Sequence, residues 1–121
     1  MYTYRAKLQR VVDGDTVEVS IDLGFYTWVE KTIRINGVDT WESRTLNLEE
    51  KEAGKKAKEF TKELLNRNGG EFTIISRELD KFGRVLADIY VDGEVKSVTE
   101  LLIENGHGYA YSGGTKILFG S

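Results

Sequence analysis

The chain has 121 residues, of which 40% are hydrophobic and 31% charged, and this composition predicts one soluble globular domain over residues 1–121. It has no cysteine, which excludes disulfides, thiolate metal sites and cysteine nucleophiles. The formal charge of −3 argues mildly against non-specific binding to duplex nucleic acid, because such binding depends on a basic surface.

The sequence gives no sign of a membrane segment. No apolar run approaches the ~20 residues of a membrane span, and residues 1–7 lack the apolar core of a secretory signal. We therefore expect a cytoplasmic protein with no membrane contact, although a secreted form from which a leader had been removed would look the same.

Three strands are predicted in the first third of the chain. Residues 2–12 mix aromatic, β-branched and basic side chains, as a strand with one wet face does. Asp13-Gly14 predicts a hairpin turn, in which the glycine tolerates positive φ. Residues 16–22 and 28–36 then alternate between apolar and polar side chains. Asp15 has the parity of the apolar face, where an ionised carboxylate is unfavourable unless a cation meets it.

Two helices are predicted in the rest of the chain. The long one begins after Asn47, whose side chain can cap it, and ends at the Asn-Gly-Gly of residues 68–70. The short one covers residues 98–105 and begins at a capping box. Two more strands and an irregular tail complete the prediction, over residues 71–77, 84–91 and 107–121.

The order β-β-β-α-β-β-α, with short strands and glycine turns, favours a small closed β-barrel with helices, an α+β domain. A five-stranded Greek-key barrel of the OB type fits this order. Barrels of this type bind single-stranded nucleic acid on a strand face, and the chain has aromatic residues for stacking on bases.

Three short segments carry residues suited to phosphate chemistry: Asp13 to Thr16 (D-G-D-T), Arg34 to Glu42 (R-I-N-G-V-D-T-W-E) and Asp80 to Arg84 (D-K-F-G-R). The carboxylates of Asp15 and Asp39 with the carbonyl of Thr40 are a possible set of oxygen ligands for calcium. The simpler alternative is that both aspartates make hydrogen bonds within turns.

The remaining candidates also have two interpretations. Arg34 and Arg84 have the outward parity of their strands and suit bidentate binding of a phosphate, but a solvated strand face would look the same. Glu42 has the chemistry of a general base acting on water, or it is a surface charge of a loop. His107 is the only histidine, which disfavours histidine-centred mechanisms, and we expect it to be solvent-exposed.

Taken in this order around one helix, the three segments resemble the staphylococcal nuclease (thermonuclease) family, over roughly residues 3 to 111. The resemblance implies an OB-type barrel and a calcium-dependent phosphodiesterase that acts on DNA and RNA and leaves 3′-phosphate ends. It also implies roles for single residues. Asp15, Asp39 and Thr40 would bind calcium, Glu42 would be the general base, Arg34 and Arg84 would stabilise the phosphoryl group, and Asp80 and Lys81 would lie near nucleotide phosphates.

The chain departs from the family pattern at three places. Trp41 stands where the family commonly has proline, and we hypothesise that it is partly exposed and stacks on a nucleobase; packing on the long helix is the alternative. The family's nucleotide-contacting tyrosines lie beyond the second helix, and the corresponding segment is shorter here. They correspond to Tyr109 or Tyr111, of which we favour Tyr111. Because the sequence stops at Ser121, we expect no counterpart of the third helix of larger members.

Two functions from different classes follow. The first is a monomeric, calcium-dependent nuclease that prefers single-stranded or frayed substrates. The alternative is a non-catalytic OB module that binds single-stranded nucleic acid or a protein partner. The full set of Asp15, Arg34, Asp39, Glu42 and Arg84 favours the enzyme, because a binding module does not need it.

Overall fold

The structure is a computed structural model and describes residues 2–43, 45–79 and 83–111. These residues form strands and helices that we number in chain order. They are β1 (Tyr2–Asp13), β2 (Thr16–Asp22), β3 (Trp28–Ile35), β4 (Val38–Thr40), α1 (Leu48–Leu65), β5 (Glu71–Leu79), β6 (Val85–Tyr90), α2 (Val98–Glu104) and β7 (Gly108–Ala110). Neither helix is long and apolar enough to cross a membrane.

Five of the strands form a closed barrel in the order β1-β2-β3-β6-β5, and β5 pairs with β1 to close it. The neighbours are antiparallel except for β3 and β6, which run parallel. Each barrel strand therefore has a partner on both sides, which satisfies its backbone groups. The predicted five-stranded barrel with two helices is confirmed.

The barrel core follows from the alternation of the strands. Side chains of one parity point inward and are almost inaccessible to solvent, whereas their neighbours face outward. Leu64 and Leu65, from the last turn of α1, pack into the same cluster. The inward residues of the strands include Val17, Val19, Ile21, Ile33, Ile35, Phe72, Ile74, Ala87 and Ile89.

Two short strands were not predicted. β4 pairs antiparallel with β7, so the prediction of an irregular tail from residue 107 is wrong for residues 108–110. Three-residue strands are too short to show a period, and their pairing joins segments ~70 residues apart in sequence. Gly108 is required here, because a Cβ at this position would lie 2.6 Å from the carbonyl oxygen of Asp39.

The turn before Asp15 is held by α1. The predicted hairpin turn joins β1 and β2, but it does not use the tolerance of glycine for positive φ, since Gly14 is not among the residues with positive φ. The absence of a side chain instead allows close packing, because a Cβ on Gly14 would lie 3.0 Å from side-chain atoms of both Ala57 and Thr40. The hydroxyl of Thr61 donates to the Gly14 carbonyl over 2.7 Å.

Helix α1 also fixes the loop that follows β4. The helix begins as predicted, with the Asn47 side chain accepting the N–H of Glu50 over 3.1 Å. At Gly54 the loop backbone lies directly on the helix: a Cβ there would be 2.4 Å from the carbonyl carbon of Glu42 and 2.5 Å from the amide nitrogen of Ser43. The main chain at Glu42 is thus positioned by a buried helix glycine.

We expect Gly54→Ala to destabilise the protein, although alanine is the better helix former by up to about 1 kcal/mol. The new methyl group would overlap backbone atoms rather than a flexible side chain, and such overpacking costs about 1–3 kcal/mol. Urea unfolding measures the change. Lys55→Ala, at an exposed position of the same helix, is the control and should stay within about 0.5 kcal/mol of wild type. A Gly54→Ala protein as stable as wild type would show that the loop shifts freely on the helix.

Candidate active site

The acidic and basic candidates meet at one end of the barrel, where β2 begins and β3 passes into β4. Asp15 immediately precedes β2, and Arg34 in β3 is the register partner of Thr16. Asp39 and Thr40 belong to β4. The exposed fractions of Asp15, Asp39 and Thr40 are 8%, 9% and 3%, so two carboxylates are held in a largely buried place.

Arg34 lies against both carboxylates in a fixed orientation. Its Nη1 donates to the carbonyl oxygens of Ile35 and Val38, over 2.9 and 2.7 Å. Its Nη2 lies 3.8 Å from Asp15 Oδ2 and 3.7 Å from Asp39 Oδ1, which is ion-pair range but longer than a direct hydrogen bond. The side chain is only 13% exposed, so the interpretation of Arg34 as part of a solvated strand face is wrong. The chain after β3 turns back and covers it.

The two carboxylates are held by different parts of the chain. Asp15 accepts the hydroxyl of Thr16 and the backbone N–H of Thr40, both over 3.0 Å. Asp39 accepts the phenol hydroxyl of Tyr109 over 3.1 Å. These contacts tie β2, β4 and β7 together at the carboxylates, so the hydrogen bonds of the aspartates join separate elements and are not confined to local turns.

Both candidate tyrosines reach the site through β7. Tyr109 contacts Asp39, as described, and the Tyr111 ring centroid lies 5.9 Å from Cζ of Arg34, within cation–π range. The N–H of Tyr111 donates to the Gly37 carbonyl over 3.0 Å. Sequence reasoning missed the bond from Tyr109 to an acid of the site. The two tyrosines at alternate positions were a signal that one face of a short strand points there.

Trp41 is half-buried beside Tyr109. Its ring centroid is 5.1 Å from that of Tyr109, and its indole N–H donates to the Gly106 carbonyl over 3.0 Å. Its backbone N–H faces the carbonyl of His107 at 3.3 Å. These contacts join Trp41 to the segment after α2. Stacking of Trp41 on a nucleobase stays a prediction.

Glu42 and Arg84 flank the buried cluster. Glu42 is exposed, two residues after Thr40, and its main chain rests on Gly54 of α1. Arg84 is half-buried and comes directly before β6. Strand alternation gives it the same face as Leu86, which is the register partner of Arg34. Asp80 and Lys81, the predicted phosphate neighbours, lie outside the described residues.

His107 is half-buried, so the prediction that it is solvent-exposed is wrong. Its ring centroid is 4.7 Å from that of Phe60 in α1. Burial lowers the pKa of His107 below its ordinary value, and the charge of Lys56 lowers it further. The ring of His107 therefore packs on α1.

The donor set at the site is made of oxygen atoms. Within residues 2–43, 45–79 and 83–111, no three acidic, histidine or cysteine side chains gather into a metal site by themselves. The predicted set has only two carboxylates, Asp15 and Asp39, with the carbonyl of Thr40. Calcium accepts such hard donors in an irregular shell and completes it with water or substrate oxygens. The residues therefore fit a hard divalent cation and do not fit zinc, which prefers nitrogen and sulfur.

Comparison with known proteins identifies the family that the three sequence segments resemble. The sequence profile described as staphylococcal nuclease homologue matches residues 32–116. Endonuclease YncB of Bacillus subtilis (strain 168) is 36% identical over 115 residues, 92% of this chain and 51% of that protein. The SPbeta prophage-derived endonuclease YokF of the same organism is also 36% identical over 115 residues, 92% of this chain and 36% of that protein. The thermonuclease of Staphylococcus hyicus is 34% identical over 89 residues, 74% of this chain and 50% of that protein.

This chain spans about half or less of the length of these relatives. The profile match nevertheless covers more than half of the chain and includes Arg34, Asp39, Thr40, Glu42 and Arg84. The chain belongs to the staphylococcal nuclease homologue family.

Proposed function

We propose that this protein is a calcium-dependent nuclease that hydrolyses phosphodiester bonds of single-stranded or frayed DNA and of RNA. The observation that carries the proposal is the convergence of Asp15, Asp39 and Arg34 at one buried position, with ion-pair distances of 3.8 and 3.7 Å. Family membership and relatives named endonuclease and thermonuclease support it.

The formal charges of this cluster suit a divalent cation and a phosphodiester together. Two carboxylates and one guanidinium sum to −2 + 1 = −1. A cation of charge +2 brings the sum to +1, and the single negative charge of a phosphodiester brings it to zero. Since uncompensated charge is unfavourable in a buried site, the cluster is best matched when both are present.

Asp15, Asp39 and the carbonyl of Thr40 would hold the calcium ion. When bound there, the ion supplies positive charge that polarises a phosphoryl oxygen. Arg34 is held by two carbonyls, so its Nη2 can stay directed toward the phosphate without reorganisation. Arg84 comes directly before β6, the strand next to β3, and has the parity of the same face. It would add a second guanidinium for the charge that develops in the transition state.

Glu42 would take a proton from the attacking water. It is exposed, so water reaches it, while the packing of its main chain on Gly54 limits where the carboxylate can move. Breakage of the P–O5′ bond would leave a 3′-phosphate on one product and a 5′-hydroxyl on the other. The phosphorus would gain the oxygen of the attacking water, and the 5′ oxygen would take up a proton from solvent while Glu42 returns its proton to solvent, so that one water molecule is consumed.

We expect the purified protein to cleave single-stranded DNA and RNA with calcium and to lose this activity with chelator. Magnesium should support little turnover, because it demands a stricter octahedron and retains its waters. Gel analysis of end-labelled oligonucleotides measures cleavage, and phosphatase treatment identifies the 3′-phosphate. Equal turnover with both ions would overturn the calcium assignment. Tight binding of the same oligonucleotides without cleavage in any divalent cation would favour the non-catalytic OB module.

Replacing either arginine should lower kcat more than it raises KM. Donors directed at the transferring phosphoryl group act chiefly in the transition state, and one donor is commonly worth about 10²–10³ in rate. Arg34→Ala and Arg84→Ala are the test variants. Arg67→Ala is the control, because Arg67 is a surface arginine paired with Glu94 and should leave kcat unchanged.

Arg34→Lys separates catalysis from folding. Lysine keeps the positive charge between the carboxylates but cannot reproduce the planar fork that binds carbonyls and phosphate together. We expect its melting temperature to stay closer to wild type than that of Arg34→Ala while its kcat still falls. Near-normal kcat in both Arg34 variants would mean that Arg34 is purely structural.

A further inference from the structure

Helix α1 carries most of its charges on two separate flanks, with Glu50 and Lys56 as the exceptions. Successive residues are ~100° apart around a helix, so Lys51, Lys55, Lys58 and Lys62 fall within about 60° of one another. Glu49, Glu52, Glu59 and Glu63 fall within about 80°, on a flank centred about 110° away. Between Lys51 and Lys62 the lysine flank extends ~16 Å along the helix axis.

The lysine flank borders a groove between α1 and β1. Lys58 and Lys62 line it together with Arg10, and its volume is about 470 Å³. Among the described residues, no acidic side chain lines this groove; its remaining walls are Leu8, Gln9, Val11, Val12 and Asn66. In the part of the chain that the structure describes, neither Lys58 nor Lys62 forms an ion pair, whereas Arg10 pairs with Glu18 over 2.8 Å.

A second groove shows that this absence of acids is not general. That groove, of about 440 Å³, is lined by Glu18 and Glu30 as well as Arg10 and Lys31. Its charges balance, as on an ordinary solvated surface. The chain as a whole has a formal charge of −3. The groove beside Lys58 and Lys62 of α1 is therefore a local region of positive charge on an acidic protein.

The groove leads to the candidate active site. Its β1 wall ends at Val12, one residue before the turn Asp13-Gly14 that precedes Asp15. The Thr61 hydroxyl bonds the Gly14 carbonyl and joins helix and turn at that point. The β1 wall from Leu8 to Val12 is ~13 Å long. A single-stranded nucleic acid bound along it would place more than one phosphate in the groove.

We propose that the groove between α1 and β1 binds the sugar-phosphate backbone of a single-stranded nucleic acid, away from the bond that is cleaved. The inference rests on the proposed function for its connection to cleavage. Lys58 and Lys62 contact phosphates, and Lys55 and Lys51 continue the basic flank toward the N-terminal half of α1, where the main chain of Glu42 packs on Gly54. The flank that carries the glutamates repels the nucleic-acid strand. Longer substrates are thus bound more tightly, without faster chemistry.

The test compares two double variants that remove the same charge. Lys58→Gln/Lys62→Gln removes two lysines of the groove, and Lys31→Gln/Lys56→Gln removes two lysines outside it. Lys56 lies on the glutamate flank of the same helix, and glutamine is as good a helix former as lysine. Melting temperatures check that all variants fold.

Binding is measured in chelator with a fluorescent oligothymidylate of about 12 nucleotides, so that cleavage plays no part. Loss of two phosphate contacts to a single strand should reduce the slope of log K against log salt by about 1.4. Affinity should fall roughly tenfold at about 0.1 M salt for the groove variant. The control variant should keep the wild-type slope.

Cleavage in calcium supplies the second readout. For the same oligonucleotide the groove variant should raise KM and leave kcat unchanged, whereas kcat/KM for a dinucleotide, which is too short to reach the groove, should not change. An equal slope in the groove and control variants would overturn the proposal, and so would an equal loss with the dinucleotide. A loss confined to duplex DNA would overturn the assignment to single strands.

The two proposals fail separately. A protein that cleaves as proposed but shows no change of salt slope retains the nuclease function and lacks this groove contact. A protein that never cleaves but whose slope falls in the groove variant retains the groove and lacks the nuclease function.

Discussion

The site depends on one electrostatic constraint, which is that two largely buried carboxylates both lie within ion-pair distance of the Arg34 guanidinium. Asp15 and Asp39 would repel each other in this environment without a positive partner. Arg34 supplies the charge from 3.8 and 3.7 Å, while two main-chain carbonyls hold its other nitrogen. The orientation of the arginine is therefore set by the main chain, and its two ion pairs are longer than direct hydrogen bonds.

The rest of the fold maintains that geometry from several directions. The barrel places Asp15 and Arg34 on adjacent strands, and the Thr40 N–H joins Asp15 to β4. β7 brings Tyr109 to Asp39, although β7 follows α2 and lies far away in sequence. Helix α1 holds the turn before Asp15 through Thr61. The site thus requires nearly the whole described chain to be folded, because each contact comes from a different element.

Much of the barrel could be predicted from sequence, because long strands with one buried face have a clear period of two. The 16–22 strand was found with its bounds, and so was the start of α1, which has a capping side chain. The site residues could be gathered only by their resemblance to a family, since single aspartates and arginines have many uses. The close contacts between elements could not be predicted from sequence. Gly14 and Gly54 allow the backbone to approach residues that are distant in sequence, and turn and helix propensities carry no information about such contacts.

Net charge illustrates the same limit. A formal charge of −3 argued mildly against non-specific binding to duplex nucleic acid, yet phosphate groups respond to charges within about a Debye length, ~8 Å at physiological ionic strength, and not to the sum. On α1 the lysines and glutamates are equal in number, but most of them lie on different flanks. A nucleic-acid strand that approaches this helix is attracted by the lysines on the flank beside β1 and repelled by the glutamates on the other flank. The helix would therefore orient the strand as well as bind it. An acidic protein can in this way present a basic path to one end of its site, and the separation of the charges decides the direction from which a polyanion enters.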